Sequence, residues 1–176
     1  MLFSDRSLWT MLHGLVLSGG ALALLVTALF FLRVMAAPEG TPVPARQSGA
    51  FSGLVIAAAV LLWIAVLGGA YIVFPWYRAT PPEGVASLAA YPRALLMSNP
   101  DTRWLHAFGM EIKEHMPWIA AMILTAAAFV ARRHRATLLS DASLRRITGS
   151  LLVVALVLVS FVALMGVFVN KVAPLW

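Results

Sequence analysis

Apolar positions in this chain gather into four long runs, Leu8–Leu32, Phe51–Phe74, Met116–Ala131 and Leu151–Val169. Each is long enough, or nearly so, to cross a hydrocarbon layer of ~30 Å as a helix rising ~1.5 Å per residue. A backbone inside lipid must satisfy its own hydrogen bonds, so runs of this length read as helices. The pattern predicts an all-α protein: an integral membrane four-helix bundle with a long non-cytoplasmic connection between helices 2 and 3. The expected spans are about 8–32, 51–74, 104–131 (with an amphipathic lead-in) and 149–170, forming a single membrane domain over 1–176.

The polar stretches subdivide further. Pro75–Gly84 holds three prolines and cannot be one continuous helix. Ala86–Met97 is mildly amphipathic and suits an interfacial segment broken near Pro92. Ser98–Asp101 reads as a turn, with Asp101 or Thr102 capping a helix that starts near Arg103. Pro117 falls inside that helix and is expected to kink it. Leu151–Val169, almost all Leu and Val, suits a lipid-facing or lightly packed helix. The alanines of the third span and Gly19-Gly20 of the first permit close helix approach.

Composition adds to this picture mainly by exclusion. The chain is 61% hydrophobic and 11% charged, far from soluble composition. Its net charge of +6 sits in short loops beside apolar runs, which points to membrane topology and not to nucleic acid. The absence of cysteine excludes thiolate zinc sites, iron–sulfur ligation, covalent c-type haem attachment and disulfides. The first run spans 25 residues, too long for the ~7–15 of a signal-peptide core, and is expected to be a retained span.

Loop charge sets the expected orientation. Connections Arg33–Ser48 and Arg132–Thr148 carry seven basic residues against Glu39 and Asp141, a net of +5. The N-terminus, the long second connection and the C-terminal tail carry six against five, a net of +1. The positive-inside rule then puts both termini outside the cytoplasm. For a bacterial chain the location is the inner membrane. Trp9, Trp76, Trp104, Trp118 and Trp176 cluster at that outer side, as interface anchors or as an aromatic docking surface.

Candidate chemistry is concentrated at the same side. His106, Glu111, Glu114 and His115 lie within ten residues, and Glu111 and His115 share a helix face at i, i+4. His13 lies 20 residues before Arg33, and His115 lies 17 before Arg132, so the two histidines share a depth just inside the outer interface. Ionisable residues at that depth rarely face lipid.

Three uses follow. His13 and His115, with His106 as a lesser candidate, suit axial ligation of a b-type haem. His13, Glu111 and His115 form a possible nitrogen–oxygen metal set. Alternatively, the histidines adjoin a quinone whose protons Glu111 or Glu114 handle. No charge lies mid-span and no inverted repeat is evident, which argues against a channel, pump or transporter.

The strings Tyr71–Arg78 and Trp104–His115 resemble those of small four-helix bacterial inner-membrane proteins without assigned chemistry. That resemblance implies only that the second connection and the entrance of the third span act as one feature. The expectation is therefore a subunit of a bacterial electron-transfer complex, respiratory or photosynthetic, in contact with lipid and other membrane subunits. The competing expectation is a cofactor-free accessory subunit that scaffolds a larger complex.

Overall fold

The computed structural model describes residues 3–174. Four helices are long and apolar enough to cross a membrane: α1 (Asp5–Val34), α2 (Ala45–Tyr77), α4 (Leu105–Arg133) and α5 (Ala142–Val172). A short helix, α3 (Pro92–Ser98), lies in the second connection. The protein is a multi-pass, all-helical membrane bundle. The helices run up and down, with α1 packed on α2, α2 on α4, α4 on α5, and α5 back on α1. Both ends of the chain and the 78–104 connection therefore sit at one end of the bundle, and the two arginine-bearing connections at the other.

Every span is longer than its apolar run, and side-chain caps close the first turns of two of them. Ser4 caps α1, its hydroxyl accepting from the Ser7 amide at 3.1 Å. Asp141 caps α5, its Oδ1 accepting from the amides of Ser143 at 2.8 Å and Leu144 at 2.9 Å. Asp141→Ala should cost about 1 kcal/mol, typical of a lost N-cap. Thermal unfolding in detergent checks that value, and Asp141→Asn, which retains an acceptor, should recover most of it.

The core is built from small residues at helical spacing. Ala21, Leu25, Ala28 and Leu32 on α1 face Phe51, Val55, Ala58 and Leu62 on α2. Ala120, Ala121, Leu124, Ala127 and Ala131 on α4 complete it with Leu152, Ala155 and Val159 on α5. Lipid tails are as apolar as leucine, so close packing and not water exclusion holds these faces together, and alanine permits it. Gly20 allows the Leu61 side chain to approach, as foreseen for the Gly19-Gly20 pair, and Gly149 does the same for Leu32.

One expectation needs refinement and one correction. The last helix is exposed on the outside of the bundle over most of its surface, as expected of a lipid-facing helix, but Leu152, Ala155, Val159, Met165 and Val169 form one buried stripe along it. Residues apolar on all sides hid that stripe, because hydropathy cannot mark a face when every face is hydrophobic. The turn before α4 is also organised differently. The Asn99 side chain accepts from the Asp101 amide at 2.9 Å, and the Thr102 hydroxyl donates back to the Leu96 carbonyl at 2.9 Å. Thr102 thus ties α3 to the start of α4 instead of capping it.

At the arginine-bearing end the connections are stitched to each other. The Ala37 amide donates to the Leu139 carbonyl at 2.9 Å. One Arg145 nitrogen donates to both the Leu139 carbonyl at 2.7 Å and the Ala37 carbonyl at 3.2 Å. Ser52 on α2 donates to the Ala131 carbonyl on α4 at 2.7 Å.

Candidate functional site

Three of the four spans depart from regular α-helix, all at the end that carries the chain termini. They widen to π-helical turns at Leu12–Ser18 in α1, Gly69–Val73 in α2 and Leu105–Met110 in α4. Each has a local cause. The Ser18 hydroxyl donates to the His13 carbonyl, five residues back, at 2.9 Å. Pro75 lacks the amide that would bond to Tyr71, and Gly68-Gly69 loosens the turn before it. The third π turn contains Gly109, against which the Met165 sulfur packs. Such turns occur mostly as single widenings inside α-helices and are frequent at functional sites.

The widened turns surround a cavity of about 620 Å³ lined by all four spans. Its walls are mainly apolar, from Met11, Val66, Phe74, Met110, Val162 and Trp118. Convergent polar groups come from His13, Tyr77, Lys113, Glu114 and Asn170. A mostly apolar chamber with a few placed polar groups is the usual form of a small-molecule site.

His13 enters this chamber as anticipated. Its ring lies edge-on against Gly69, where a Cβ would come within 2.6 Å of the ring Cε1. Among the described residues its buried Nδ1 has no hydrogen-bond partner. Only a glycine at position 69 leaves room for the imidazole between α1 and α2.

Helix rotation separates the acidic and basic residues of α4. Met110, Lys113, Glu114 and Pro117 line the cavity. Glu111 and His115 do not, being turned about 200° from Lys113 at two residues' separation. Both are largely exposed, and His115 Nδ1 sits 2.8 Å from its own Glu111 carbonyl and 3.7 Å from the Glu111 carboxylate. The structure therefore brings His13 and Glu114 to one chamber and leaves His115 and Glu111 outside it. The His13, Glu111 and His115 metal set is not assembled: among the described residues no three His, Asp or Glu side chains converge.

His106 takes an unforeseen role. Its Nδ1 lies 2.8 Å from the Tyr77 hydroxyl, joining the end of α2 to the beginning of α4. Tyr77 is buried and stacks on Phe74, and Arg78 lies over the other aromatic ring of that pair.

Lys113 is the residue that sequence reading missed. It lies at cavity level with its ammonium against Gly166 of α5, where a Cβ would stand 2.9 Å from Nζ. Among the described residues it makes no ion pair or hydrogen bond, the single ion pair there being that of Glu111 with His115. The signal that could have found it is the four-residue step to Pro117: proline has no amide to bond the Lys113 carbonyl, so the helix is opened at that point.

Of the tryptophans, Trp9 and Trp104 are exposed at the end that carries the 78–104 connection, as interface anchors are. Trp118 is not one of them. It meets Trp63 edge-on at 5.9 Å, and the Trp63 indole donates to the Thr125 hydroxyl at 2.9 Å, so the pair floors the chamber. Trp176 lies outside the described residues.

Comparison with protein-family models, with curated proteins and with solved structures finds no match to this chain. Its function is argued from the chamber alone.

Proposed function

We propose that this chain is a membrane subunit of a bacterial electron-transfer complex and that its chamber holds a quinone headgroup. One observation carries the reading: Lys113 brings three N–H donors into a mainly apolar, membrane-level chamber and makes no hydrogen bond or ion pair among the described residues. A quinone offers what is missing, a flat apolar ring with carbonyl acceptors. Aromatic and methionine walls suit the ring, and Glu114 and Tyr77 stand ready to exchange protons with its oxygens.

The inner-membrane location, with the arginine-bearing end cytoplasmic, rests on the loop-charge asymmetry. It puts the chamber in the outer leaflet. The apolar surfaces of α1 and α5, including Leu15, Phe30, Val157 and Val167, are then shared between lipid and neighbouring subunits. A b-type haem is the less favoured cofactor, because the second imidazole assigned to it, His115, lies outside the chamber.

Trp118 supplies a built-in probe. Titrating the purified, quinone-depleted protein with a short-tailed ubiquinone should quench tryptophan fluorescence saturably. Lys113→Met should weaken that binding roughly 10- to 100-fold, the equivalent of about 1.5–3 kcal/mol for a hydrogen bond from a charged donor. Linear, non-saturable quenching in the unmodified protein would reject the quinone reading. A reduced-minus-oxidised absorption band lost on His13 replacement would establish haem instead.

A further inference from the structure

A ligand that gains or loses protons inside a membrane-level chamber needs a route for them to water. Most of the chamber wall is apolar and carries none. Tyr77 is the group that reaches both sides of the wall: it is 4% exposed, lines the chamber, and its hydroxyl meets His106 Nδ1 at 2.8 Å. His106 is only half-buried, in the first turn of α4, between the exposed Trp104 and Phe108. From chamber to surface the path is thus one phenol and one imidazole long.

The charges around the pair suit that task. Glu114, on the chamber wall, acts on both Tyr77 and His106, while Glu111 acts on His106 from the same helix. Arg93 of α3 and Arg78 at the end of α2 face the pair from the other elements packed on it. Two carboxylates and two guanidiniums thus surround the pair. A purely structural tie at this joint would need only a hydroxyl on any carbonyl. An imidazole adds two distinct nitrogens, one turned to the phenol and the other free to serve water.

We propose that Tyr77 and His106 form a proton relay between the chamber and the aqueous phase at the outer end of the bundle. The proposal rests on the quinone reading. When a bound hydroquinone passes its two electrons, one at a time, to a one-electron carrier on a partner subunit that is reoxidised between the transfers, two protons must leave. One moves from a ligand hydroxyl to Tyr77 Oη as the Tyr77 proton moves to His106 Nδ1. His106 then releases its Nε2 proton to water and regains its starting tautomer by exchange with solvent. Glu114, on the same wall, accepts the other proton.

Infrared difference spectroscopy of the full-length protein, loaded with a short-tailed ubiquinone and cycled at an electrode, tests this. In the unmodified protein the difference spectrum should contain tyrosine-phenol and imidazole bands beside the ligand's carbonyl band, the first two shifting in D₂O. Tyr77→Phe, which keeps the ring on Phe74, should abolish the phenol bands and leave the carbonyl band. His106→Gln should abolish the imidazole bands likewise. Ligand bands without phenol or imidazole bands, or side-chain bands that persist in both variants, would overturn the relay and leave the quinone reading intact. Absence of any ligand band would overturn both.

Discussion

Gly69→Ala should displace His13 and remove ligand binding, although it adds a single methyl group. The new Cβ would stand 2.6 Å from Cε1 of the imidazole, closer than any carbon contact in a packed protein tolerates. Both ring nitrogens would also lie close to that Cβ, at 3.2 and 3.3 Å, so a whole edge of the ring meets it and not one atom alone. Either α1 and α2 move apart or His13 swings into the chamber. Overpacking of this kind costs about 1–3 kcal/mol. The neighbouring residue provides a control with identical chemistry, since nothing lies within 4 Å of a Cβ at Gly68. Gly68→Ala should therefore be neutral or stabilising, by up to about 1 kcal/mol of helix propensity. Thermal unfolding in detergent, read beside ubiquinone quenching of Trp118, should give opposite signs for the two alanines. Equal behaviour would mean that His13 is not held by Gly69.

Arg145→Ala is expected to be the most damaging change at the opposite end. Its guanidinium satisfies the carbonyls of Ala37 and Leu139, which belong to different connections, and these two residues are also joined by their own backbone bond. Removing it leaves two acceptors short in a part-buried joint. At about 1.5–3 kcal/mol for a hydrogen bond from a charged donor, a loss of about 3 kcal/mol is expected. Arg145→Lys should recover only part of it, because an ammonium on a flexible stem lacks the planar fork. Arg146 is exposed and makes no hydrogen bond among the described residues, so Arg146→Ala should change stability by no more than about 0.5 kcal/mol. A melting experiment that ranks Arg145 and Arg146 alike would show the joint to be dispensable.

These two arginines illustrate how far sequence reaches here. Counting basic residues in the connections treats Arg145 and Arg146 as equal contributions to topology. Only the folded joint shows that one of them holds two loops together. The same contrast holds on α4. The spacing of Glu111 and His115 correctly implied a shared helix face, but periodicity does not say which face meets the bundle when the flanking turns are polar all round. Lys113 and Glu114 face inward instead, and Lys113 finds its place because Gly166, more than fifty residues later, has no side chain.

The amino-acid sequence by itself determined the class of molecule, the number of spans and the end of the bundle at which polar chemistry gathers. Those properties follow from the length of apolar runs against the thickness of a bilayer and from the need to satisfy backbone polar groups in lipid. Depth along a helix is equally legible, since each residue advances it by ~1.5 Å, and it brought His13 correctly to the level of the chamber. Rotation about the helix axis is not legible in the same way. It is decided by which neighbour packs where, and in this protein π turns at three positions shift it further. The tertiary structure alone therefore decided that His13, Lys113, Glu114 and Tyr77 share one chamber, that His106 reaches it through Tyr77, and that His115 does not.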